Sequence, residues 1–158
     1  MKKILYILLP LLFLSFTKPF YIRYRVLSVL EKTTISGKKV ENIKPILNEV
    51  LDNTTDELSF NLHSKISDIK TRKRANCIGY TKYYNSKLTQ KLKENGIGNI
   101  TISHARVKIL MFNVNVHVFK SNSWKDHDVS IVKNNTTGDV YYIDPSLSEV
   151  FGDIIVKQ

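Results

Sequence analysis

The apolar periodicity of this chain changes near Gly98, and that change limits the fold more than any other feature of the sequence. Before it, apolar residues recur at helical spacing. Ile43, Ile46, Leu47, Val50 and Leu51 predict a helix within 40–51, with Pro45 acceptable only near its first turn. Leu58, Leu62, Ile66 and Ile69 form a second helical pattern. Tyr80, Tyr84, Leu88 and Leu92 predict the longest helix, from Cys77 to Asn95, with Gly96 as its stop. After Gly98 the period becomes two. Val114, Val116 and Val118 alternate with Asn113, Asn115 and His117, and strands are expected over 103–110, 127–132 and 140–144. Helices followed by strands predict an α+β fold, with N-terminal helices packed on a mainly antiparallel sheet.

A length of 158 residues suits one domain with one core. The first 17 residues stand apart from it. Lys2 and Lys3 precede an apolar run from Ile4 to Phe16, which reads as a signal peptide or an uncleaved signal anchor. The domain then spans 18–158, and an exported location follows: periplasmic, secreted or held at the cell envelope. The net charge of +10 is compatible with an anionic membrane surface as partner. Nucleic acid is disfavoured, because the basic residues are spread along the chain except at Lys70, Arg72, Lys73 and Arg74.

Cys77 is the only cysteine, so no disulfide forms within the chain and no ordinary cysteine zinc site exists. A lone cysteine is usually a small buried apolar residue. Here its place at the start of a predicted helix suggests a nucleophile, since helix N-termini favour the thiolate. Such a thiol needs a base. His63 reads as a surface residue, His104 has no acidic partner evident in sequence, and His117 points away from the valine face. His127 differs, because a turn-rich segment separates it from Asp144. A hairpin with His127 opposite Asp144, Val129 opposite Tyr142 and Ile131 opposite Val140 would put imidazole and carboxylate on one face. One ring nitrogen would meet the carboxylate and the other would face the thiol. The Cys77 backbone N–H is a natural oxyanion donor, and Asn76 and Trp124 are side-chain candidates for oxyanion or substrate contacts. A metal site at His127 with Asp126 or Asp128 lacks a second well-spaced histidine, so neither metal nor cofactor is expected.

Three segments together carry a resemblance. They are Ala75-Asn76-Cys77-Ile78-Gly79-Tyr80 with its helix, His127-Asp128-Val129-Ser130-Ile131-Val132, and Val140-Tyr141-Tyr142-Ile143-Asp144-Pro145-Ser146. In order and spacing the chain resembles the transglutaminase-like superfamily of papain-related thiol enzymes over about 58–151. The resemblance implies a transglutaminase-like core with Cys77 as nucleophile, His127 as base and Asp144 orienting the histidine. Ala75 stands where that family usually has glycine, Ile78 where the animal enzymes have tryptophan, and Val129 where an aromatic is frequent. These departures weigh against protein cross-linking more than against a thiol site. The expected activity is therefore hydrolysis of a peptide or protein amide through a thioester, ahead of acyl transfer. The alternative is a binding or assembly module that keeps the fold without turnover.

Overall fold

In a computed structural model, residues 22–111, 114–115 and 127–158 are described. The apolar run read as an export signal, Trp124 and His117 lie outside those residues. The element order is β1 (Ile22–Ile35), α1 (Lys44–Glu57), β2 (Ser59–Phe60), α2 (Asp68–Arg72), β3 (Arg74–Ala75), α3 (Cys77–Glu94), β4 (Ile100–Met111), β5 (Val114–Asn115), β6 (His127–Asn134), β7 (Val140–Ile143), α4 (Pro145–Phe151) and β8 (Ile155–Lys157). The fold is α+β. Its main sheet runs β1-β4-β6-β7-β8 with every neighbouring pair antiparallel, and β5 adds to β4.

Two features depart from the sequence expectation. A 14-residue strand, β1, precedes the helices, so helices do not come first. Its register against β4 slips between Val26 and Ser28 and again between Val29 and Glu31. Each bulge inserts one residue and breaks the two-residue alternation that would have announced a strand. The second departure lies after α1, where the helical pattern of Leu58 to Ile69 yields only the five-residue α2. Leu62 and Ile66 stay exposed, so their spacing marks no buried stripe. Ser59 and Phe60 instead pair in parallel with Arg74 and Ala75. Ser59 N–H donates to Lys73 O at 2.8 Å, and Asn61 N–H to Ala75 O at 2.8 Å.

The helices that form do so for readable reasons. Pro45 sits in the first turn of α1, where its missing N–H costs nothing. Helix α3 ends in a Schellman arrangement. Gly96 takes φ +62°, Gly96 N–H donates to Lys93 O, and Ile97 N–H donates to Leu92 O. Tyr84, Leu88 and Leu92 of α3 and Leu47, Val50 and Leu51 of α1 are buried against Ile100, Ile102, Val132, Tyr141 and Ile143 of the sheet. This layer is the main core. Leucines buried this completely each contribute roughly 2–3 kcal/mol by leaving water.

The other sheet face carries a second cluster: Tyr24, Ala105, Val107, Ile109, Val129, Ile154 and Val156. It is concave. Strands β1 and β7 stand three places apart in the sheet, about 14 Å if the sheet were flat. Yet the rings of Tyr24 and Tyr142 stack with centroids 5.7 Å apart and planes 5° apart. Curling of the sheet brings residues of its edge strand over β7, where the candidate site lies. Among the described residues no helix is long and apolar enough to cross a membrane.

Candidate active site

Cys77 is the first residue of α3, and Asn76 is its N-cap. Asn76 Oδ1 accepts from Gly79 N–H at 3.0 Å, which satisfies one of the orphan donors of the first turn. The capping bond uses the side-chain oxygen and leaves the amide NH2 as a separate donor beside Cys77. Gly79 lets this turn lie close to the preceding chain. A Cβ there would stand 3.0 Å from Ala75 Cβ and 3.3 Å from Ile69 Cδ1. Cys77 itself is half-buried.

A row of polar residues aligns α3 with β6. Thr81 Oγ1 donates to Asp128 O at 3.0 Å, and Ser130 Oγ donates to Asn85 Oδ1 at 2.5 Å. Cys77, Thr81 and Asn85 follow one another at four-residue intervals, so they lie on one side of the helix. Four helical residues rise about 6 Å and two strand residues about 6.6 Å. The two elements therefore keep step. One turn back from Thr81, Cys77 arrives beside the start of β6, where His127 stands.

His127 Nε2 lies 2.8 Å from Asp144 Oδ2, and both side chains are buried. The Cys77 side chain is close enough to the imidazole to act on its protonation. Since Asp144 occupies Nε2, Nδ1 is the nitrogen left to face sulfur. Burial works against charge on His127, but the charge and hydrogen bond of Asp144, followed by those of Cys77, outweigh it. The imidazolium pKa is pushed up to about 10. The site favours a protonated histidine held against the Asp144 carboxylate.

The expected strand register is corrected. Ser130 pairs with Ile143, Ile131 with Tyr142, Val132 with Tyr141 and Lys133 with Val140. Ile131 is thus opposite Tyr142 rather than Val140. The hairpin is offset by two residues from the expected pairing, because its turn closes from Asn134 to Asp139, with Asn134 N–H donating to Asp139 O at 2.9 Å. An offset of two keeps every side chain on its face, whereas an offset of one would have separated the groups. His127 and Asp144 consequently meet across a diagonal.

Asp144 has a second task. It is the N-cap of α4. Oδ1 accepts from Leu147 N–H and Ser146 Oγ, both at 3.1 Å, while Oδ2 accepts from His127 and from Tyr24 Oη at 3.1 Å. All four contacts point one carboxylate at the imidazole. Tyr24 escaped the sequence reading, because it sits 120 residues away on the bulged strand. The alternation Ile22, Tyr24, Val26 was its only signal.

A second histidine–carboxylate pair corrects the reading of His104 as lacking an acidic partner. Its Nε2 lies 3.2 Å from Asp128 Oδ2, and Arg106 Nε lies 3.4 Å from Asp128 Oδ1. The His104 contact is close but poorly directed, since neither ring nitrogen forms a well-aligned hydrogen bond. Burial tends to raise the Asp128 pKa, yet His104 and then Arg106 hold it below the usual carboxylate value. Arg106 is the cross-strand partner of Asp128, and His104 that of Ser130, which bonds Asn85 of α3. The pair therefore faces α3. Strand alternation turns Asp128 away from the His127 ring, and His127 and Asp128 do not share a ligand site. His63 is exposed, as read from the sequence. No protein-family model, curated protein or solved structure matches this chain.

Proposed function

We propose that the chain is an exported thiol hydrolase with a transglutaminase-like core, acting on a peptide or protein amide. The observation that carries this reading is the 2.8 Å contact of His127 Nε2 with the buried Asp144 carboxylate, beside the helix start that bears Cys77. Nε2 is taken by Asp144, so Nδ1 is the nitrogen available for proton transfer with the thiol.

The chemistry follows from those positions. The Cys77 thiolate attacks the amide carbon, a C–S bond forms, and the carbonyl π pair moves to oxygen. The Cys77 backbone N–H, free at the first helical position, donates to that oxyanion. Collapse breaks the C–N bond as His127 gives its proton to the departing amine, leaving a thioester. Water then loses a proton to His127 and attacks the thioester carbon. The C–S bond breaks, releasing a carboxylic acid and restoring the thiolate. An amine in place of water would give acyl transfer.

The decisive test is thiol reactivity. Iodoacetamide labelling of Cys77 in the full chain should run far faster than labelling of free cysteine at neutral pH, and His127→Ala should remove the advantage. Slow labelling that His127→Ala leaves unchanged would sink the enzyme reading and favour a binding module. A peptide library analysed by mass spectrometry should then show a Cys77 thioester and hydrolysed products.

A further inference from the structure

Tyr24 has no place in the proton transfers above, yet it touches the atom on which they depend. Its hydroxyl donates to Asp144 Oδ2 at 3.1 Å, the same oxygen that meets His127 Nε2 at 2.8 Å. The phenol is buried, with 5% of its surface exposed. It is held from behind by the parallel ring of Tyr142. Oδ1 is already fixed by Leu147 N–H and Ser146 Oγ. The carboxylate would be anchored without Tyr24, so anchoring alone does not explain a buried phenol reaching Oδ2 from the opposite edge of the sheet.

We propose that Tyr24 is a positioning residue of this site, whose phenol holds Asp144 Oδ2 on the imidazole and draws off part of the carboxylate's charge. The inference rests on the thiol-enzyme reading and names the group that sets the strength of its base. A carboxylate that shares its charge with a second donor attracts the imidazolium less. A histidine bound too tightly to its proton is a poor base for the water of the second step. The phenol suits this task because it stays neutral. Burial, then the charge of Asp144 and the hydrogen bond to it, raise its pKa well above the ordinary phenol value. Among the described residues, the ionisable groups acting on His127 are Asp144 and Cys77, with Tyr24 acting through Asp144.

The test is an NMR titration of His127 in the full chain, with 13C-labelled histidine and in detergent micelles. Tyr24→Phe should move the imidazole titration up by about half a pH unit or more. Placing 3-fluorotyrosine at position 24 strengthens the donor and should move it down. The fluorinated chain keeps the ring and its packing, so it remains informative if Tyr24→Phe fails to fold. Opposite shifts in the two proteins establish the role. An unmoved titration in the fluorinated chain, or shifts of the same sign in both, would overturn it. Iodoacetamide labelling of Cys77 reports separately on the enzyme reading. A slow thiol beside a titration that responds to Tyr24 would discard the enzyme and keep the hydrogen-bond role.

Discussion

Asp144 Oδ2 lies 2.8 Å from His127 Nε2, although the hairpin does not set the two residues directly opposite one another. Continued by one residue, the β6–β7 ladder would place Val129 beside Asp144. His127 stands two residues further along β6. The contact closes because Asp144 has left the strand to cap α4, with φ −115° and ψ +85°, and its carboxylate is turned by Leu147 N–H and Ser146 Oγ. The helix cap therefore aims the carboxylate as much as the sheet does.

That double duty predicts linked losses at Asp144. Asp144→Ala removes the cap of α4 and leaves a buried imidazole and phenol without their acceptor. Stability should fall by about 3 kcal/mol, measured by urea denaturation. Asp144→Asn keeps an oxygen for capping but sets an NH2 or a misdirected oxygen against His127. It should lose less stability than Asp144→Ala and, on the proposed thiol-hydrolase reading, lower turnover by roughly 100-fold or more. Equal losses of stability in the two variants would refute the capping argument.

The raised pKa of His127 predicts a stability trend with pH. The folded-state value is about 10 against an ordinary 6.5, so folding favours the protonated ring. The stabilisation is fully present below pH 6.5 and is lost as pH rises towards 10. The stability difference between wild type and His127→Gln should accordingly shrink across that interval. Denaturant midpoints between pH 6 and pH 10.5 check it, and a constant or growing difference would contradict the ion pair.

The pair formed by His104 and Asp128 should behave as structure. Asp128→Ala leaves His104 buried without a partner and should cost roughly 1–3 kcal/mol. Because Asp128 faces α3 rather than the His127 ring, the folded variant should keep most of the Cys77 labelling rate of wild type. Loss of labelling in a chain with native circular dichroism would show that the two pairs are coupled. The depressed Asp128 pKa adds stability above the ordinary carboxylate value and loses it as pH falls below that value. Acid denaturation should therefore begin earlier in wild type than in a variant carrying an apolar isostere of this pair.

The alignment of α3 on β6 gives a fourth expectation. Thr81→Val removes the bond to Asp128 O while keeping volume and branching. It should cost about 1 kcal/mol and slow Cys77 labelling by several-fold, through misplacement of the helix start. Asn85→Ala, one turn further from Cys77, should affect labelling less. A reversed ranking in stopped-flow labelling would argue against the polar row as the device that sets the thiol.

What the sequence by itself determined is local. The 3.6-residue recurrence of Tyr80, Tyr84, Leu88 and Leu92 with Gly96 behind it defined α3 to within a residue, because period and C-cap are properties of neighbouring residues. The polar turn between β6 and β7 and the period of two around it announced that hairpin for the same reason. Cys77 at a helix start was legible too. Strand β1 was not, because two bulges break its alternation and its side chains lie mostly exposed at a sheet edge. Nor was the short pairing of β2 with β3, which answers to contacts made fifteen residues apart.

The tertiary structure alone decided which polar groups meet. The β6–β7 offset, the carboxylate angle set by the α4 cap and the reach of Tyr24 across a curled sheet all depend on distances between segments far apart in the chain. So does the partnership of His104 with Asp128, which is invisible until β4 and β6 lie side by side. Alternation along a strand assigns a side chain to a face. Only the packing of helices and the curvature of the sheet determine what waits for it there.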